Sequence, residues 1–126
     1  MLLVEHDSDD RRLYAQWLTM SGYDVEQTHN GFQALDRAMA MAPDVVMTDL
    51  SIRGMDGYEL ARRLKNDPRT DEIPILAITG YGPFSDPSRA RHAGCDAFLA
   101  KPCTWADIDQ ALHALLTDAR RRRRSA

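Results

Sequence analysis

Asp49, Thr79 and Lys101 each stand where an apolar run of this 126-residue chain stops at a polar group. Asp49 closes Asp44-Val45-Val46-Met47-Thr48-Asp49, whose β-branched residues fit a short strand buried on both faces, as in a parallel sheet. A carboxylate ending such a strand has to meet solvent or a cation. Thr79 closes the run that starts at Ile73, and Lys101 follows Ala97-Phe98-Leu99-Ala100. The acidic stretch Glu5-His6-Asp7 follows Leu2-Leu3-Val4 in the same way. In a parallel α/β sheet the carboxyl ends of the strands share one crevice, and ligands bind there. Carboxylates gathered in it repel one another and call for a cation, and an oxygen-rich set of this type suits Mg²⁺. A hydroxyl and an ammonium remain to hold an anion. Together these groups can carry a phosphoryl group on Asp49.

The elements that must position these residues are legible from periodicity. Residues 8–20 place Leu13, Tyr14, Trp17 and Leu18 on one helical face, with Ser8 as N-cap, Asp9 and Asp10 in the first turn and Gly22 as stop. Residues 23–28 alternate polar and apolar, as an edge strand does. Residues 32–41 form a helix with Phe32, Leu35, Ala38 and Met39 on one side. Asp56 caps a third helix, 57–65, which turns Leu60, Ala61 and Leu64 inward. Pro83 and Pro87 restrict the fourth helix to a short piece ending at Ala93, with Asp86 as cap and Gly94 as stop. The stretch from Gly80 to Ser88 is expected to be mobile. Thr104 and Asp107 form a capping box before a last helix that buries Trp105, Ile108, Leu112 and Leu115. Five strands alternating with five helices over short loops predict a parallel sheet covered on both faces.

Composition fits one globular domain, with 28% charged and 44% hydrophobic residues. No apolar run approaches the roughly 18 residues of a membrane span, and no signal peptide opens the sequence. Cys95 and Cys103 match neither a CxxC pair nor a disulfide framework, so a reducing, cytoplasmic setting is expected. Net charge is −3, yet the run Arg120 to Arg124 means that the first 119 residues carry −8. A domain over 1–118 and a disordered basic tail over 119–126 follow from that shift. The tail reads as solvated; five arginines without interleaved aromatics make direct nucleic-acid binding a poor expectation. Such a run could equally begin a linker to a further segment.

The stretches LLVEHD, NGFQAL, PDVVMTDL, GMDGYEL, IPILAITGY and AGCDAFLAKP, in that order, resemble the receiver domain of two-component response regulators. Thr79 follows Asp49 by thirty residues and Lys101 by fifty-two, separations that match the family's chemotaxis members. The resemblance implies a flavodoxin-like, doubly wound (βα)5 α/β fold with strand order 2-1-3-4-5. It implies that Asp49 accepts a phosphoryl group from a sensor histidine kinase or phosphotransfer protein. Thr79 and Lys101 would bind the phosphoryl oxygens, and Phe98 would stand at the aromatic switch position beside Thr79. Mg²⁺ would be held by the acidic pair of the first strand, Asp49 and the backbone carbonyl of Ser51. The peptide before Pro102 would be cis. Homodimers would form through the fourth helix, fifth strand and fifth helix. The domain would signal and would not be an enzyme.

Two positions depart from the family pattern. The acidic pair falls on Glu5 and His6, so an imidazole stands where the metal-binding acid is expected. Nitrogen suits Mn²⁺ or Zn²⁺ better than Mg²⁺, and weak Mg²⁺ binding with slow phosphotransfer is expected. Arg53 replaces the usual proline. A degenerate receiver acting as a phosphorylation-independent interaction module is the alternative. An aspartyl-phosphate hydrolase is disfavoured, because Ser51 stands where a general-acid Asp is needed. His92, Cys95 and Cys103 as metal ligands compete with plain packing, which is the preferred reading.

Overall fold

The computed structural model describes residues 1–80, 82 and 85–125. In chain order the elements are β1 (Leu2–Val4), α1 (Ser8–Met20), β2 (Glu26–Thr28), α2 (Gly31–Met41), β3 (Val46–Asp49), α3 (Gly57–Lys65), β4 (Ile75–Thr79), α4 (Pro87–Ala93), β5 (Ala97–Ala100) and α5 (Trp105–Ser125). The five strands pair in parallel in the order β2-β1-β3-β4-β5. The flavodoxin-like α/β expectation therefore holds, strand order included.

Alternation along the strands splits the core in two. Leu2, Val4, Val46, Ile75 and Ala77 face α2, α3 and α4. Leu3, Met47, Leu76 and Ile78 face α1 and α5, where Trp17 and Trp105 meet with ring centroids 6.2 Å apart. A strand with both faces covered has no polar face, which is why β3 and β4 read as continuous apolar runs. At the amino-terminal edge of the sheet, Asp96 Oδ2 accepts from the Ile75 N–H at 2.8 Å and from Lys65 Nζ at 3.0 Å. Lys65 also donates to the Ile73 carbonyl at 3.0 Å. The clamp ties the end of α3, the approach to β4 and the turn before β5.

Several boundaries differ from the sequence expectation. Asp7, and not Ser8, caps α1: its carboxylate accepts from the Asp10 N–H at 2.9 Å. The buried face of α1 is Tyr14, Ala15 and Leu18, which leaves Leu13 41% exposed. Phe32 is 58% exposed because α2 buries Gly31, Ala34 and Ala38 instead. Strand β2 is shorter than 23–28, and Tyr23 and Val25 serve as packing before it. The arginines continue α5 to Ser125, so the helix runs on into the stretch expected as a basic tail over 119–126. Ala119 is buried and carries α5 past the expected boundary. Arginine favours helix, and cations suit a helix C-terminus. The Thr104–Asp107 capping box forms, at 2.9 and 3.2 Å. Helices α3 and α4 have the expected caps and bounds. The Lys101–Pro102 peptide is cis. The mobility expected between Gly80 and Ser88 falls partly on Tyr81, Pro83 and Phe84, which lie outside the described residues.

Gly57 sets the approach of α3 to the end of β3. Its N–H donates to the Leu50 carbonyl at 2.9 Å. A Cβ there would stand 2.6 Å from both the Asp49 carbonyl oxygen and the Leu50 Cα. Gly57→Ala should therefore lower stability by about 1–3 kcal/mol, the usual range for overpacking. Urea denaturation measures this; an unchanged midpoint would refute the close approach.

Candidate functional site

The strand order reverses between β1 and β3, and at that point an open α/β sheet offers its ligand crevice. Parallel register brings Val4 level with Thr48, so Glu5 and Asp49 leave neighbouring strands side by side. Asp49 pairs with Ile78, which sets Thr79 one residue further along β4. Thr79 pairs in turn with Ala100, the residue before Lys101, and the Lys101 N–H donates to the Thr79 carbonyl at 2.7 Å. Glu5, Asp49 and Thr79 are all buried.

Lys101 Nζ is the centre of the cluster. It donates to Glu5 Oε2 at 3.0 Å, Asp49 Oδ2 at 3.0 Å and Asp10 Oδ2 at 2.9 Å. Glu5 Oε1 accepts from the Asp7 N–H at 3.1 Å and lies 3.7 Å from His6 Nδ1. Arg11 donates to the Glu5 carbonyl at 2.9 Å, holding the chain where it leaves β1. Asp49 Oδ1 accepts from the Ser51 N–H at 2.9 Å. Burial works against the charge on Lys101, but its bonds to Asp10 and Asp49, and the charges of Asp49 and Glu5, hold its pKa above the ordinary lysine value. Burial, helped by the charge of Asp49, pushes Glu5 up to about 7 against the pull of Lys101. The Asp10 N–H lowers the pKa of Asp7.

The candidate metal ligands Glu5, His6 and Asp49 do come together: one donor atom from each lies within 4.8 Å of the others. Two are buried carboxylates and the third is an exposed imidazole, so the set fits a divalent cation and favours Mn²⁺ or Zn²⁺ over Mg²⁺. Asp7 does not replace the missing acid, since its carboxylate is spent on capping α1. The Ser51 side chain is exposed and points to no role of its own. Phe98 is partly buried and packs on the α2–α4 side, beside a cavity of about 70 Å³ with Ala90 and Cys95. The Arg53 backbone bridges to Asn30, and its carbonyl accepts from Gly31 N–H at 3.3 Å, tying the β3–α3 loop to α2. Among the described residues His92, Cys95 and Cys103 form no ligand group. Burial pushes the Cys95 thiol up to about 12, as suits packing.

Sequence reasoning missed Asp10. It reads as a first-turn acid favoured by the helix dipole, and its reach to Lys101, 91 residues away, has no local signal.

An open parallel α/β sheet with carboxylates, a hydroxyl and an ammonium at its switch point defines the class of the protein. The chain matches the response regulator receiver domain over residues 1–113 and belongs to that family. It is 30% identical over 119 residues to the polar-differentiation response regulator DivK of Brucella anthropi, covering 94% of this chain and 97% of DivK. The receiver domain of the sensor histidine kinase PA1611 from Pseudomonas aeruginosa, with a magnesium ion coordinated in its active-site cleft, superposes with a TM-score of 0.85. Its identity is 27%, covering 92% of this chain and 95% of that one. The signal receiver domain of a histidine kinase from Syntrophus aciditrophicus gives a TM-score of 0.81 at 30% identity, covering 93% and 89%. Receiver domains are signalling modules of two-component systems rather than classical enzymes. Among the described residues no helix is long and apolar enough to cross a membrane.

Glu5 gives the site a defined pH response. Its folded pKa of about 7 lies above the unfolded value of 4.5. Between these values the unfolded chain releases the proton while the folded chain keeps it, so this group's contribution to stability falls as pH rises through that window. Below and above the window its contribution is flat. In metal-free buffer, Glu5→Gln should remove that downward trend. Urea midpoints measured from pH 4.5 to 7.5 should thus converge at low pH and separate at high pH, with the variant higher. Parallel curves would contradict the assignment.

Proposed function

We propose that the domain accepts a phosphoryl group on Asp49 from a phosphohistidine of a sensor histidine kinase or phosphotransfer protein. The observation that carries this reading is the Asp49 carboxylate, buried at the end of β3 with Lys101 Nζ at 3.0 Å. In the transfer, an Asp49 oxygen forms the bond to phosphorus as the bond from phosphorus to the donor imidazole nitrogen breaks. The electron pair leaves with that nitrogen, which takes up a proton from solvent. The Lys101 ammonium and the Thr79 hydroxyl donate to the phosphoryl oxygens as charge moves onto them. A divalent cation bound by Glu5, His6, Asp49 and the Ser51 carbonyl would supply further neutralisation of those oxygens. Thr79 and Phe98 are the switch pair: motion of Thr79 toward the phosphoryl group vacates space for the ring on the neighbouring strand. The readout surface is α4, β5 and α5, through which the domain would meet targets or a second copy in the cytoplasm.

Incubation with acetyl phosphate and a divalent cation should give an acid-stable, base-labile adduct on the wild-type chain. None should form on Asp49→Asn, as intact-mass measurement would show. No adduct on the wild type would assign the chain to phosphorylation-independent interaction instead.

His6 should set the strength of metal binding. Replacing the imidazole with a carboxylate adds a hard ligand and a charge, so His6→Asp should tighten Mg²⁺ binding by about tenfold or more, the scale of one added charged ligand. Calorimetric titration reads this directly, and equal affinities would mean that His6 stands outside the ion's coordination.

A further inference from the structure

Lys101 has one partner for which phosphoacceptance has no use. An ammonium offers three N–H donors, and Glu5, Asp49 and Asp10 take all of them at 3.0, 3.0 and 2.9 Å. Glu5 and Asp49 are side chains of the site itself, 0% and 5% exposed. Asp10 comes from the first turn of α1 and its side chain is 40% exposed. Its backbone N–H is fixed on the Asp7 carboxylate at 2.9 Å, so the residue is presented to the crevice from a capped helix and not from a loop.

A phosphoryl group on Asp49 brings oxygens that need a Lys101 donor, and every donor is already engaged. One carboxylate must give way. Releasing Glu5 would strip a fully buried carboxyl group of a hydrogen bond that no water can replace, which is unfavourable. Asp49 loses its own charge on phosphorylation, so its donor can pass to the phosphoryl group it carries, and any further donor has to come from Glu5 or Asp10. Asp10 stands at the solvent edge, where water can replace the ammonium, so it is the partner whose release costs least. Until released, it also adds a negative charge beside a group that is itself anionic.

We propose that Asp10 is a positioning residue that competes for Lys101: it holds the ammonium in the unphosphorylated domain and opposes its transfer to a phosphoryl group on Asp49. The proposal rests on the phosphoacceptor reading. It makes Asp10 a brake on phosphorylation, acting through Lys101 and touching no reacting atom. With acetyl phosphate as donor, the bond from Asp49 to phosphorus forms and the bond from phosphorus to the acetate oxygen breaks, the electron pair leaving on acetate. Asp10 gives and takes no proton.

The test uses the full chain with Mn²⁺ present and compares wild type, Asp10→Asn, Asp10→Ala and Asp9→Asn. Asp9→Asn removes the same charge from the same turn at an exposed position and is the control for long-range electrostatics. Beryllofluoride, a tetrahedral phosphoryl mimic, gives the affinity; labelling by acetyl phosphate gives the rate; thermal melts of the unliganded proteins give stability. Both Asp10 variants should bind beryllofluoride roughly three- to tenfold tighter and label faster by a similar factor, the scale of one partly exposed charged hydrogen bond. Their Tm should be unchanged or lower, since a merely structural residue would lose affinity and stability together. Asp9→Asn should match wild type within about twofold, as expected of a screened surface charge. Wild-type labelling without a gain in the Asp10 variants overturns the proposal alone, as does a gain in Asp9→Asn equal to theirs. Absence of labelling and binding in every chain overturns the proposal together with the phosphoacceptor reading.

Discussion

A single ammonium surrounded by carboxylates is the constraint on which the crevice depends. Glu5 and Asp49 are brought to the ends of adjacent strands by register, and two buried carboxylates side by side would drive each other toward protonation. Lys101 Nζ at 3.0 Å from each is the counter-charge that lets them share the site. The balance is incomplete, since Glu5 still holds its proton up to about pH 7. A pocket left short of positive charge is ready to take up a cation, and a lysine already in place can follow an anion.

What positions these groups is mostly backbone. The carbonyl of Thr79 fixes the Lys101 N–H, the N–H groups of Asp7 and Ser51 orient the two carboxylates, and Gly57 lets α3 close on the loop after Asp49. Arg11 and Asp7, neither of them part of the chemistry, pin the start of α1 against the end of β1. The likeness to DivK and to the receiver domain of PA1611 runs over nearly the whole of this framework.

Much of this was legible in the sequence where chemistry is local. The caps Asp56, Asp86 and Thr104, and the stop at Gly94, each act within one helical turn, and α3 and α4 take the bounds those residues imply. Asp49 and Thr79 stand out because each ends a strand buried along its length, and Lys101 because it follows the short apolar run of β5. Local rules failed where neighbours were equivalent: Asp7 and Ser8 are both good caps, and only the course of the chain after Glu5 decides between them. Leu13 and Phe32 sit at the margin of their helical faces, where a rotation of one residue moves a side chain from core to solvent. The arginine run carries no local signal for its conformation, because charge predicts solvation, and solvation does not distinguish a coil from an exposed helix. Asp10 was illegible for a different reason, since its partner is brought to it only by the fold.

The Asp96 clamp anchors the amino-terminal edge of β4 and β5 to the end of α3. There the Ile75 N–H, the Ile73 carbonyl and Lys65 are joined through one carboxylate and one ammonium, while the opposite ends of the same strands carry Thr79 and Lys101. The two strands that deliver Thr79 and Lys101 thus start from one shared anchor and stay paired to their last residues, so the spacing of those two side chains is set by a frame fixed at both ends.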